Sequence, residues 1–109
     1  MVELTVSDVT RAVAWYESAL GLTVERADTP NGFVLLSGDG GKLALKAGVP
    51  VPGGVKLHWQ VPDLAEAVGR LAAAGVAVGP LKSSTEGYTR VAVVDPDGYA
   101  VVVFGWDER

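Results

Sequence analysis

The sequence has no cysteine, one methionine and one histidine. Without thiols, disulfides, thiol nucleophiles and cysteine metal sites are all excluded. Positive charge is also scarce: 9 Lys and Arg stand against 13 Asp and Glu, for a net charge of −4 and a pI near 4.8. An acidic surface repels phosphate backbones, so no nucleic-acid partner is expected, whereas a cationic small molecule would be welcome. No apolar run approaches the roughly 20 residues that span a bilayer, and no signal peptide is visible. The expectation is a cytoplasmic protein without a membrane partner.

What is present is apolar. Hydrophobic residues make up 49% of the 109, enough for a core and one domain's worth of chain. The stretch VVDPDGYAVVVFGW, residues 93–106, shows the bias best. A turn at Asp95-Pro96-Asp97-Gly98 opens into a run without charge until Asp107. Both faces of that strand are apolar, so both should be covered.

The chain repeats itself. VSDVTRAV from Val6 matches VPDLAEAV from Val61, an offset of 55; GLTV from Gly21 matches GVAV from Gly75, an offset of 54. FVLLSGDGGKLAL from Phe33 matches VAVVDPDGYAVVV from Val91, an offset of 58 that lays Asp39-Gly40 on Asp97-Gly98. Each half has the same grammar. An alternating strand (Val2, Leu4, Val6; then Leu57, Trp59, Val61) leads to an Asp suited to cap a helix. The helices should span about 9–20, with Val9, Ala12, Val13, Tyr16 and Leu20 as apolar stripe, and about 64–74, with Leu64, Val68 and Leu71. Gly21 and Gly75 should end them. Three strands follow in each half: 22–26, 32–37 and 42–47, then 76–78, 88–95 and 99–105, with hairpin turns at the Asp-Gly steps. The chain reads as two βαβββ units, about 1–47 and 55–109, joined by a Pro- and Gly-rich linker at about 48–54. Units this small are marginal alone, so they form one α+β domain over 1–109.

VSDVTRAVAWYESALGL and GYTRVAVVDPDGYAVVV resemble the first strand–helix signature and the last hairpin of the vicinal oxygen chelate superfamily. That group comprises glyoxalase I, extradiol dioxygenases, fosfomycin-resistance enzymes and bleomycin-resistance proteins. The resemblance implies the two units in pseudo-two-fold arrangement, with mixed sheets curving round a central cavity and helices outside. It also implies where metal ligands stand in the family's metalloenzymes. Carried onto this chain, those positions are Met1, Ala44, Lys56 and Val102. Ala and Val have no donor atom, Lys is cationic, and a thioether is soft. The expectation is therefore a metal-free protein with no cofactor, whose last strand turns an apolar wall of Ala100, Val102, Phe104 and Trp106 toward the cavity.

The polar candidates are few. His58 shares a strand face with Lys56 and Gln60, and its pseudo-symmetric mate is Glu3. Two such residues fall one short of a metal site; Glu3 against Lys46 on a neighbouring strand is the plainer reading. Polar groups facing an apolar concavity are what orients a bound ligand. The expected ligand-binding set is Glu3, Lys46, His58, Gln60, Val102, Phe104 and Trp106, with no catalytic residues. For Phe104 and Trp106 the competing role is fill at a dimer or half–half interface. Tyr88 and Arg90 precede the last turn, where this fold overhangs its cavity. Arg90 has the chemistry to hold a carboxylate, against the commoner solvated arginine. Trp15, Tyr16 and Trp59 read as core, and Gly38–Gly41 and Asp95–Gly98 as turns, not phosphate or calcium loops. Ser83, Ser84 and Thr85 lack an adjacent base. Three functions remain open. The leading one is a homodimeric, drug-sequestering type of binding protein, for an aromatic or cationic small molecule. The others are an enzyme with displaced metal or acid–base chemistry, and a ligand-free interaction module.

Overall fold

The computed structural model describes residues 1–107. Each unit begins with a strand whose alternate residues are buried: β1 (Val2–Val6) buries Leu4 and Val6, and its counterpart β5 (Lys56–Gln60) buries Leu57 and Trp59. The helices follow directly. α1 spans Val9–Leu20 and α2 Leu64–Ala73, capped by Asp8 and Asp63, whose carboxylates accept the Arg11 and Glu66 amides at 3.0 and 3.1 Å. Gly21 and Gly75 have φ of 69° and 76°, the left-handed conformation that ends a helix without steric cost. The buried stripes are Ala12, Tyr16, Ala19 and Leu20 on α1, and Ala67 and Leu71 on α2.

The first unit continues with β2 (Thr23–Asp28), β3 (Phe33–Gly38) and β4 (Gly41–Ala47), and forms a sheet of order β1-β4-β3-β2. The second continues with β6 (Lys82–Ser83), β7 (Tyr88–Val94) and β8 (Ala100–Trp106), in the order β5-β8-β7-β6. In each sheet the first strand runs parallel to the last and the other pairs are antiparallel. The architecture is thus a duplicated βαβββ unit with two open, mixed, four-stranded sheets.

One element departs from expectation. Residues 76–78 form no strand. This segment is tied to the sheet by a single bond from the Gly79 amide to the Ala92 carbonyl, and Pro80, which has no amide proton, ends the ladder at once. The outer strand of the second sheet is displaced to Lys82–Ser83 and is only two residues long.

The two units share one core, which includes Leu4, Tyr16 and Leu36 from the first and Trp59, Leu71 and Val103 from the second. Each unit's hairpin turn docks on the other unit. The Asp39-Gly40 turn packs on Trp59, so closely that a Cβ on Gly40 would lie 2.7 Å from the Trp59 Nε1 and from the Gln60 carbonyl oxygen. The Asp95–Gly98 turn docks on α1. Asp95 is the one buried charged residue among the described residues, and its carboxylate accepts hydrogen bonds from the Asp97 and Tyr99 amides, each at 2.9 Å, and from the Tyr16 hydroxyl at 2.7 Å. Around it, Asp97 accepts from the Ser7 amide and hydroxyl, and the Tyr99 hydroxyl donates to the Thr5 carbonyl at 2.6 Å. The expected DPDG turn is therefore also the polar seam between the halves.

Burial and the neighbouring Asp95 charge hold the Tyr16 phenol far above the usual tyrosine range. Tyr16→Phe leaves an Asp95 oxygen buried without its strongest donor and should destabilise the fold by about 1–3 kcal/mol at neutral pH. A raised folded-state pKa contributes stability that is complete below the unfolded value and declines as pH rises above it. The parent's advantage over Tyr16→Phe should stay constant up to about pH 10 and shrink above it, by up to about 1.4 kcal/mol per pH unit. Urea midpoints of both proteins, measured through this range, check the magnitude and the sign.

Candidate ligand-binding face

On every strand one set of residues faces the helices and the alternate set faces away. On β8, Val101 and Val103 belong to the shared core, whereas Val102 is buried but lies outside it, on the helix-free face; Ala44 on β4 is placed in the same way. The helix-free faces of the two sheets differ in chemistry.

The first sheet turns Glu3 and Thr5 (β1), Lys42, Ala44 and Lys46 (β4), and Phe33, Leu35 and Ser37 (β3) to this side. Its lysines are occupied. Lys42 pairs with Glu25 at 2.9 Å, and Lys46 donates to the Asn31 carbonyl at 3.0 Å. The expected pairing of Glu3 with Lys46 does not form. The register puts Lys46 opposite Thr5 and Phe33, with Glu3 opposite Ala44, and the lysine stem reaches across β3 instead of β1.

The second sheet turns Lys56, His58 and Gln60 (β5), Ala100, Val102, Phe104 and Trp106 (β8), and Tyr88, Arg90, Ala92 and Val94 (β7) to the same side. The register sets His58 beside Val102, Gln60 beside Phe104, Arg90 on the other flank of Phe104, and Tyr88 beside Trp106. Tyr88, Phe104 and Trp106 stack edge to face, with centroids 5.4, 5.5 and 6.1 Å apart. Trp106 is 57% exposed, so it is not core in this chain. Trp59 is buried, as expected, and Trp15 is half-buried against the core. Farther along the same face is a depression of about 260 Å³, floored by Ala92, Ala100 and Val102 and edged by Lys56, Lys82 and Arg90.

Five of the seven candidate residues (His58, Gln60, Val102, Phe104 and Trp106) thus share one sheet face, while Glu3 and Lys46 lie on the other sheet. The ion pairs of the described residues join Arg11 to Asp97, Lys42 to Glu25 and Arg70 to Glu66; none involves Glu3 or His58. Sequence reasoning missed Lys82, because its position beside Arg90 follows from the displaced β6. Tyr88 was placed near the cavity, but its stacking on Trp106 follows only from the β7–β8 register. A larger cavity, about 370 Å³, opens between α1 and the β2–β3 side of the first sheet. Its lining is mostly apolar, with only Thr10, Glu17 and Thr29 polar, so it has little to orient a ligand.

The matching family model is described as Glyoxalase/Bleomycin resistance protein/Dioxygenase superfamily and covers residues 1–103. The chain belongs to this superfamily. Solved structures carry the same fold. TioX from Micromonospora sp. ML1 is 25% identical, with a TM-score of 0.81 over 100% of this chain and 96% of that one. Lactoylglutathione lyase from Agrobacterium tumefaciens is 21% identical, with a TM-score of 0.77 over 96% and 91%. The integron cassette protein VCH_CASS1 of V. Cholerae is 21% identical, with a TM-score of 0.77 over 97% and 92%. Curated protein sequences give no significant match.

The superfamily's metal positions do not fit a metal here. Ala44 and Val102 are buried and have no donor atom, Met1 is 81% exposed, and Lys56 brings a cation into the depression. Among the described residues no three His, Asp or Glu side chains group as ligands. Elemental analysis of dialysed protein should find well under about 0.1 divalent metal per chain, since a working site generally needs three protein ligands. About one zinc, nickel, iron or manganese per chain would point to Glu3 and His58.

Proposed function

We propose that this protein binds a small organic molecule on the helix-free face of its second sheet, without metal at the superfamily's usual positions, and that it does so as a homodimer. The observation that carries the reading is the Tyr88–Phe104–Trp106 cluster beside a depression with an apolar floor. A large indole more than half exposed, held edge to face by two rings, is a preformed stacking surface. Around it stand His58, Gln60 and Arg90, a few polar groups able to orient what the rings hold.

A catalytic reading has less behind it. His58 is exposed on one sheet and Glu3 on the other, and among the described residues neither has an ion-pair partner that would tune it for proton transfer.

Strand physics supports the dimer. β1, β2, β5 and β6 are sheet edges, and Val2 and Val24 are exposed apolar residues on two of them. Open edges and apolar strand faces favour pairing with a second copy, most often about a two-fold axis. Sedimentation equilibrium at micromolar concentration should give twice the chain mass; monomer alone would refute the dimer.

Because Trp106 is more than half exposed, Trp106→Ala should lower stability by less than about 1 kcal/mol, well short of a core truncation. It should weaken an aromatic ligand by about 1–3 kcal/mol and abolish most of the ligand-induced tryptophan quenching. Thermal melting and fluorescence titration of the two proteins check this. A variant that melts far below the parent, with no ligand shifting either one, would favour the interaction-module reading.

A further inference from the structure

The cations on the second sheet are arranged in a way that the overall charge conceals. Lys82 and Arg90 are direct register partners on adjacent antiparallel strands, so their side chains leave the same face side by side. Like charges opposite one another in a sheet are destabilising. Sequence neighbours do not relieve this pair: the side-chain hydrogen bonds and ion pairs of the described residues include neither Lys82 nor Arg90, and none includes Lys56. The contrast with the first sheet is direct, since there Lys42 and Lys46 both have oxygen partners.

These three unengaged cations edge one depression, and its lining contains no Asp or Glu. The floor is Ala92, Ala100 and Val102, which offers nothing to compete for the charge. Arg90 also flanks Phe104, and Tyr88 and Trp106 pair one step farther along the same strands. Two residues along a strand is roughly 6–7 Å, so Phe104 stands beside Arg90 and the Tyr88–Trp106 pair about one aromatic ring's length beyond it.

We infer that this face takes a small organic anion. Its carboxylate, phosphate or sulfonate head lies among Lys56, Lys82 and Arg90, and its apolar or aromatic body crosses Val102 and Phe104 toward Tyr88 and Trp106. The inference rests on the binding reading above and specifies its ligand class. The local sign is opposite to that suggested by the net charge of −4. A bound anion removes the Lys82–Arg90 repulsion and supplies an acceptor to cations that have none among the described residues. Arg90, with its planar fork, sets the orientation of a carboxylate, and the two lysines act as flexible point charges.

The test compares naphthalene-2-carboxylate with its neutral amide, by tryptophan quenching and calorimetry, on the full chain. The parent should bind the carboxylate about tenfold or more tighter than the amide, and only the carboxylate should weaken as salt is raised. In Lys82→Gln/Arg90→Gln the preference should collapse to within about twofold, with amide affinity retained. Lys56→Gln should reduce it partly, and Lys42→Gln, on the first sheet, should leave it unchanged. Removing two adjacent like charges should not lower the melting temperature; if the double variant fails to fold, Lys56→Gln carries the test. Equal binding of the two probes by the parent, or an undiminished preference in the variants, overturns the anion inference while the binding reading stands. Binding of neither probe to the parent overturns both.

Discussion

The hydrogen bond from the Tyr16 hydroxyl to Asp95 joins the halves of a duplicated chain. A carboxylate buried among apolar residues is tolerable only when its lone pairs are occupied. Asp95 meets that condition with two amides of its own turn and one phenol from the other unit. The two turn bonds fix the β7–β8 hairpin, and the third fixes where the hairpin sits on α1. If the units separated, a buried charge would lose a partner and the shared core would open to water. The same hairpin sets the β7–β8 register, and that register places Tyr88 beside Trp106 and Arg90 beside Phe104.

The superfamily fold therefore supplies two faces, and this sequence uses them differently. On the first sheet Lys42 pairs with Glu25, Lys46 donates to a backbone carbonyl, and small Ala44 lies buried between neighbours. On the second sheet Val102 makes an apolar floor, Lys56 adds a cation, and three rings lie farther along the same face. Positions that would hold donor atoms for a metal now hold hydrocarbon or positive charge. The face therefore combines an apolar floor, cations at its edge and three exposed or half-buried rings.

Much of this was legible in one dimension. The matched segments at Val6 and Val61 announced the duplication, and Asp8 and Asp63 the two helix starts, because caps and periodicity are local. The unbroken apolar run through Val101, Val102 and Val103 gave the strand, but its second face is covered only around Val102, while Trp106 is more than half exposed. Less legible were features set by register or by a break in pairing. Glu3 and Lys46 looked like neighbours, but the parallel β1–β4 register moves them one step apart. Residues 76–78 have strand composition, yet Pro80 interrupts the ladder just beyond them. Tyr16 and Asp95 are separated by 79 residues, and no local pattern links a helix stripe to a turn carboxylate.

The sequence by itself determined the repeat, the helix caps, the turns and the absence of donor atoms at Ala44 and Val102, since each depends on residue type and near neighbours. Only the tertiary structure decided which charges meet. Sidedness on a strand follows from parity, but the partner across the gap follows from how strands are aligned, and that alignment is set by the packing of both units around a common core. Lys82 is unremarkable in a loop-like stretch of sequence. It becomes one of a pair only because a two-residue strand lays it against Arg90.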